Sequence, residues 1–228
     1  MLNNESINSA NLELVVSKIR KLDYFIFFGT LLSFVRNDQL INRDDDIDIM
    51  LNIKEQEKLI SALDSPELTL FTKTSYFCQY YSSKDKEKKF PIDFYFYEEK
   101  NKRYLVDSWN FFGWEGKKIK KRHQMYIKRN DVYPLKTVQM GNEFINIPKD
   151  SLKMCEFLYG SKWGTPLLKN KEYFIFIFRN KPVVFYNKII VKFLYILSLF
   201  LNKKYKKGFK NLYYIIPEKI RKFVKNLL

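Results

Sequence analysis

From Asp46 to Ile53 the chain alternates: Ile47, Ile49, Leu51 and Ile53 are separated by Asp46, Asp48, Met50 and Asn52. A period of two belongs to a β-strand, whose successive side chains leave opposite faces. The apolar side demands a core, and the carboxylates gather at one end. The chain must therefore build a sheet that carries charge at the tip of a buried strand. Asp44 and Asp45 stand just before it, and an extended run puts Asp44, Asp46 and Asp48 on one side while Asp45 and Ile47 point away. Carboxylates this close raise one another's pKa unless a cation neutralises them. Hard oxygen ligands suit Mg²⁺ or Mn²⁺. A second alternating stretch, Pro91 to Tyr97, sets Asp93, Tyr95 and Tyr97 opposite Ile92, Phe94 and Phe96, so Asp93 can add a carboxylate from alongside.

The remaining patterns place these strands in a mixed α/β chain. Leu12, Val15, Val16 and Ile19 recur at helical spacing and predict an opening helix over 8–22. Tyr24 to Phe28 reads as a buried strand that stops at Gly29-Thr30 before a short helix. A helix is expected from Lys54 to Leu63, strands over 68–71 and 75–81, an exposed charged loop over 82–89, a hairpin around Met140-Gly141-Asn142 and a helix from 149 to 159. The expected fold class is α+β, a mixed sheet flanked by helices, followed by a helical tail.

With 228 residues the chain accommodates one domain and an appendage. Two cysteines, Cys78 and Cys155, and the lone His123 exclude a disulfide scaffold, zinc fingers and paired-histidine metal sites. The net charge of +16 points to polyanionic partners. It is concentrated: residues 181–228 carry 12 of the 41 Lys and Arg against one of the 25 acids. This divides the chain into a domain over 1–180 and a basic segment over 181–228. In that segment Ile216, Ile220, Phe223, Val224 and Leu227 form one helical stripe opposite Lys219, Lys222 and Lys225. The pattern suits an anionic membrane surface or packing on the domain. The first residues have no signal-peptide pattern, and the expected location is cytoplasmic, at the inner face of the membrane.

Gly29-Thr30 supplies the phosphate half of a site. A glycine at a strand-to-helix turn lets backbone N–H groups approach phosphate oxygens, and the Thr30 hydroxyl can donate another bond. A glycine turn, then Asp-apolar-Asp on the next strand, then an acid on a later one is the constellation of the nucleotidyltransferase superfamily. More closely, FFGTLLSFVRNDQLINRDDDIDIML resembles the signature of the LicD/fukutin-related family, and VYPLKTVQMGNEFINIPKDSLKMCEFLYGSKWGTP resembles its downstream block. The resemblance spans about residues 10–168. It differs from the commoner pattern at Ser33 and at Asn42-Arg43.

The resemblance implies a nucleotidyltransferase fold and metal-dependent transfer of a phosphorylated alcohol, such as phosphocholine, from a CDP-linked donor to a glycan hydroxyl, releasing CMP. The acceptor would be a cell-surface glycan precursor, such as that of lipopolysaccharide or capsule, carried on a lipid. No nucleic-acid partner is favoured. On this reading Asp46 and Asp48 hold Mg²⁺ or Mn²⁺, Asp44 completes the shell, and Asp93 either shares a second metal or accepts the acceptor's proton. Gly29, Thr30 and Arg36 would meet phosphate, and Tyr159, Gly160 and Trp163 either shape the substrate pocket or pack in the interior. Two other classes stay open: a nucleotidyltransferase using an NTP, and a non-catalytic membrane-surface module.

Overall fold

The computed structural model describes residues 4–37, 46–87, 89–107, 124–140, 142–165, 174–178 and 180–185. Helix α1 (Asn4–Ile19) buries Leu12, Val15, Val16 and Ile19, the stripe that its sequence spacing predicts. Strand β1 (Tyr24–Ile26) leads at once into α2 (Phe28–Asn37), then β2 (Ile47–Asn52), a 3-10 turn (Ile53–Glu55) and α3 (Gln56–Leu63). Strands β3 (Leu68–Lys73), β4 (Phe77–Ser82), β5 (Ile92–Lys100), β6 (Tyr104–Asp107) and β7 (Met125–Lys128) follow. A short helix α4 (Arg129–Val132), the hairpin β8 (Lys136–Met140) and β9 (Glu143–Ile147), α5 (Ser151–Tyr159), and the pair β10 (Phe174–Phe178) and β11 (Lys181–Phe185) complete the described elements. The fold is mixed α+β, as expected.

The main sheet runs β1-β2-β5-β4-β3, and the far half of β5 pairs with β6, which pairs with β7. Among the described strands of this sheet only β2 and β5 are parallel. Their register sets Asp48 beside Asp93 and Ile49 beside Phe94. One face therefore carries Ile47, Ile49, Leu51, Ile92, Phe94 and Phe96, all buried. Helix α3 covers this face, where the Gln56 side chain reaches the Cys78 thiol, and α1 packs on α3. The opposite face carries Asp48, Asp93, Tyr95 and Gln79, and the start of α2 lies against it, the Phe28 ring 4.9 Å from that of Tyr95.

The turn between β1 and α2 differs from the expected one. Gly29 is already helical, and the left-handed conformation falls on Phe28, at φ 35°. A non-glycine residue held there stores strain of order 1–3 kcal/mol, sustained only by surrounding contacts. Those contacts are on both sides of the turn: Phe27 N–H donates to Asp48 O at 2.9 Å, and Asp48 N–H donates to Thr30 Oγ1 at 2.8 Å. The Phe28 ring adds packing against Phe27 and Tyr95.

Other departures have equally local causes. Within the expected exposed loop over 82–89, Asp85 is buried because its carboxylate accepts the Phe90 N–H at 2.7 Å. The helical reading of 181–228 does not hold at its start: Lys181–Phe185 is a strand paired antiparallel with β10, so the hairpin crosses the expected 180/181 boundary. Residues 186–228 lie outside the described residues. No helix among the described residues is long and apolar enough to cross a membrane.

Thr30→Val keeps the shape of the side chain and removes the acceptor of a buried N–H. Such a loss costs about 1–3 kcal/mol. At this chain length each kcal/mol lowers the melting temperature by roughly 2–4 °C. Thermal unfolding of Thr30→Val against the parent checks the strap, and Thr30→Ser is expected to retain most of the stability.

Candidate metal and active site

The sheet, rather than a loop, brings the carboxylates together. Asp46 precedes β2, Asp48 lies within it, and Asp93 is the register partner of Asp48 on β5. One carboxylate oxygen from each of the three lies within 4.8 Å of those of the other two. Asp48 and Asp93 are buried, and Asp46 is half-buried. The alternation predicted for Asp46 and Asp48 thus appears in space. Asp44 and Asp45, with Asn42 and Arg43, fall outside the described residues.

Asp48 is the most constrained of the three. Gly29 N–H donates to its Oδ2 at 2.8 Å, so the carboxylate caps the N-terminal end of α2 from another element. The Tyr95 hydroxyl donates to the same carboxylate. Both bonds favour the ionised form, as does the partial positive charge at a helix start. Burial outweighs them, and with the charges of Asp46 and Asp93 it holds the Asp48 carboxyl well above the usual carboxylate range. Burial, followed by the charges of Asp48, Asp93 and Asp46, also pushes the Tyr95 phenol well up. Asp93 is steadied by Gln79, whose amide donates to its Oδ1 at 2.9 Å from the opposite position on β4.

The donor set fits a hard divalent cation. All three groups offer oxygen, they are crowded at an unfavourable density for bare anions, and they lie on or just before adjoining strands of one sheet. Oxygens around one Mg²⁺ at about 2.1 Å stand at most about 4.2 Å apart, close to the spread observed. Asp46 and Asp48 would hold such an ion, and Asp93 lies close enough either to share it or to serve as a base beside it.

Other sequence candidates serve the frame. Gly29 spends its N–H on Asp48 rather than leaving it for phosphate. Thr30 is buried and accepts the Asp48 N–H, so its expected phosphate contact is replaced by a backbone strap. Arg36 does not project toward the triad: its guanidinium donates to the Trp163 carbonyl, Nε at 2.9 Å, and to the Thr165 carbonyl at 3.2 Å. It ties the last turn of α2 to the turn after α5, whereas the triad lies at the first turn of α2, about 10 Å away along the axis. Tyr159, buried in the core, ends α5, and Gly160 follows it at φ 78°, a conformation that favours glycine. Trp163 packs against the core. His123 lies outside the described residues, and Cys78 and Cys155 are buried and free.

Two residues that the sequence reading did not single out belong to the site. Tyr95 shares the carboxylate face with Asp93, and the alternation of β5 was the available signal. Gln79 comes from a strand whose register no local pattern specifies.

The family model described as LicD/FKTN/FKRP, nucleotidyltransferase domain, matches residues 21–150. That span contains the triad, Gly29, Thr30 and Arg36 and stops before Tyr159, Gly160 and Trp163. No curated protein matches the chain. Among solved structures, the lincomycin-bound lincosamide antibiotic adenylyltransferase LnuA is 9% identical, with 64% of this chain and 82% of that one covered at a TM-score of 0.43. ANT(2")-Ia in complex with adenylyl-2"-tobramycin is 13% identical, with 41% and 51% covered at a TM-score of 0.34.

The raised Asp48 pKa has a defined sign in stability. A carboxyl whose folded pKa exceeds its unfolded value contributes stability in full below about pH 4 and loses it as pH rises through the folded value. Asp48→Asn removes that dependence. In EDTA the variant is therefore expected to gain on the parent in melting temperature as pH is raised from about 4 to about 8. A difference that stays flat with pH contradicts the assignment. Mg²⁺ or Mn²⁺ added at the upper pH is expected to raise the parent's melting temperature and to move the variant's far less.

Proposed function

The chain belongs to the LicD/FKTN/FKRP family through its nucleotidyltransferase domain, and from that premise we propose that it transfers a phosphorylated alcohol, such as phosphocholine, from a CDP-linked donor to a sugar hydroxyl of a glycan. One observation carries the reading: Asp46, Asp48 and Asp93 meet within 4.8 Å at the start of α2. A divalent cation such as Mg²⁺ or Mn²⁺, when bound, supplies neutralising charge for the diphosphate and the departing CMP.

The residues divide the work. Asp46 and Asp48 hold the cation, and Asp48 is fixed for this by Gly29 N–H and Tyr95. Asp93, oriented by Gln79, stands at the β4 side of the triad. There it accepts the proton of the attacking hydroxyl, as a general base within hydrogen-bond reach does. The new bond joins the acceptor oxygen to the phosphorus of the transferred group. The bond from that phosphorus to the bridging oxygen breaks, and CMP leaves with the oxygen. Carboxylates without a cation would repel the donor, so donor binding is coupled to metal binding. The basic segment 181–228 belongs to the same proposal as a contact with an anionic membrane surface, where a lipid-linked acceptor would be found.

Incubation with Mg²⁺ and CDP-linked alcohols is expected to release CMP when a suitable glycan is present. Asp46→Asn, Asp48→Asn and Asp93→Asn are each expected to lower that release by at least about 10²–10³, the loss that follows removal of one charge-stabilising group. EDTA should abolish it. Pyrophosphate release from CTP, or near-parental turnover by all three variants, would overturn the proposal.

A further inference from the structure

The carboxylate face continues past Asp93, away from β2 and α2. Gln79 lies opposite Asp93 on β4, and Tyr81, two residues along, leaves the sheet on the same face. On the edge strand β3 the register slips: Leu70 pairs with Tyr80 and Thr72 with Gln79, which makes Phe71 an extra residue in the ladder. A bulge bends its strand and re-aims a side chain. Here the Phe71 ring meets Tyr81 edge to face, the centroids 5.4 Å apart and the planes at 87°. Phe71 is 58% exposed and Tyr81 half-buried, so the pair adds little to the core.

We propose that Phe71, buttressed by Tyr81, forms the platform on which a pyranose ring of the acceptor glycan stacks. This rests on the transfer reading given above and assigns the acceptor's place within it. The donor diphosphate has to reach Asp46 and Asp48 beside α2, on the β2 side of Asp93. The acceptor hydroxyl has to reach Asp93 from the other side. From Asp93 to Tyr81 is one ladder spacing of about 4.8 Å across and two residues, about 6.8 Å, along. A sugar ring that presents a hydroxyl to Asp93 from this direction lies over Gln79 and meets the two aromatic rings.

The chemistry matches a sugar. One face of a pyranose is lined by C–H groups, which an aromatic π-face attracts, and its rim carries hydroxyls. Tyr81 offers its own hydroxyl to that rim. A tyrosine hydroxyl is neutral at physiological pH and able to donate, and partial burial with the charges of Asp93 and Asp85 pushes this one further up.

The test uses the full chain and probes that do not depend on turnover. A panel of methyl pyranosides is titrated by saturation-transfer NMR, and CDP with Mg²⁺ is titrated separately by calorimetry. At least one pyranoside is expected to show transfer to its ring protons, with affinity falling roughly 3- to 10-fold in Phe71→Ala. Phe71→Tyr is expected to retain the affinity, and CDP binding to be equal in all three proteins. The exposure of Phe71 means that Phe71→Ala is expected to melt with the parent. No pyranoside contact, or contact unchanged in Phe71→Ala, overturns the platform. Loss of CDP affinity in Phe71→Ala overturns it in favour of the donor's base. Phe71-dependent pyranoside binding without CMP release supports the platform and sinks the transfer reading. CMP release with pyranoside binding indifferent to Phe71 does the reverse.

Discussion

A carboxylate buried at the meeting of three elements organises this domain. Asp48 is held by its own backbone as well as its side chain: its carbonyl accepts Phe27 N–H, its amide donates to Thr30, and its carboxylate receives Gly29 N–H and the Tyr95 hydroxyl. Together these contacts lock β2, β5 and the start of α2 into one arrangement. The strained Phe28 sits inside that lock, and its ring packs on the same Tyr95 that serves Asp48. Position and charge thus come from one set of bonds. A residue that only ligated a cation could sit on a loop, whereas Asp48 cannot move without unpicking the turn.

The cost of this arrangement is electrostatic. Like charges brought together in a buried place oppose folding unless a cation or a proton answers them, and the elevated Asp48 pKa expresses that opposition. Opposing it is an aromatic layer beside the triad: Phe28 and Phe77 both pack on Tyr95, with ring centroids 4.9 and 5.3 Å away. Burial of this kind is indifferent to pH, while the triad is not. The packing of the site is therefore insensitive to pH, while the charge it carries is not.

How much of this was legible in the sequence depended on whether a pattern was local. The alternation of Asp46 to Ile53 and of Pro91 to Tyr97 assigned both strands and the side each carboxylate takes. The α1 stripe was equally readable. What alternation cannot provide is a partner: the parallel register that sets Asp48 beside Asp93, and the antiparallel one that sets Gln79 there, are tertiary facts. The same limit explains Thr30 and Arg36. Both look free to meet phosphate along the chain, yet each answers a backbone group brought near by another element, the Asp48 amide for Thr30 and the Trp163 and Thr165 carbonyls for Arg36. The Gly29 N–H, expected to approach phosphate, donates to a carboxylate of this chain. The bulge at Phe71 leaves no trace in local pattern either, because a slip of one residue shows only against the neighbouring strand.

The charge of the whole chain and the charge of the site have opposite signs, and the two act at different distances. A net charge of +16 attracts a polyanion over a range set by screening, about 8–10 Å at physiological ionic strength. Within the last few ångströms the clustered carboxylates of the triad oppose that attraction. A diphosphate can therefore be drawn to the protein in general and turned away from the site in particular. In the transfer we propose, neutralisation of the triad by a cation would lower that inner barrier and favour a cation-bound donor. A neutral sugar meets neither effect. For the acceptor we propose, the protein would have to offer shape and apolar contact, and Phe71 with its neighbour Tyr81 is placed to supply it.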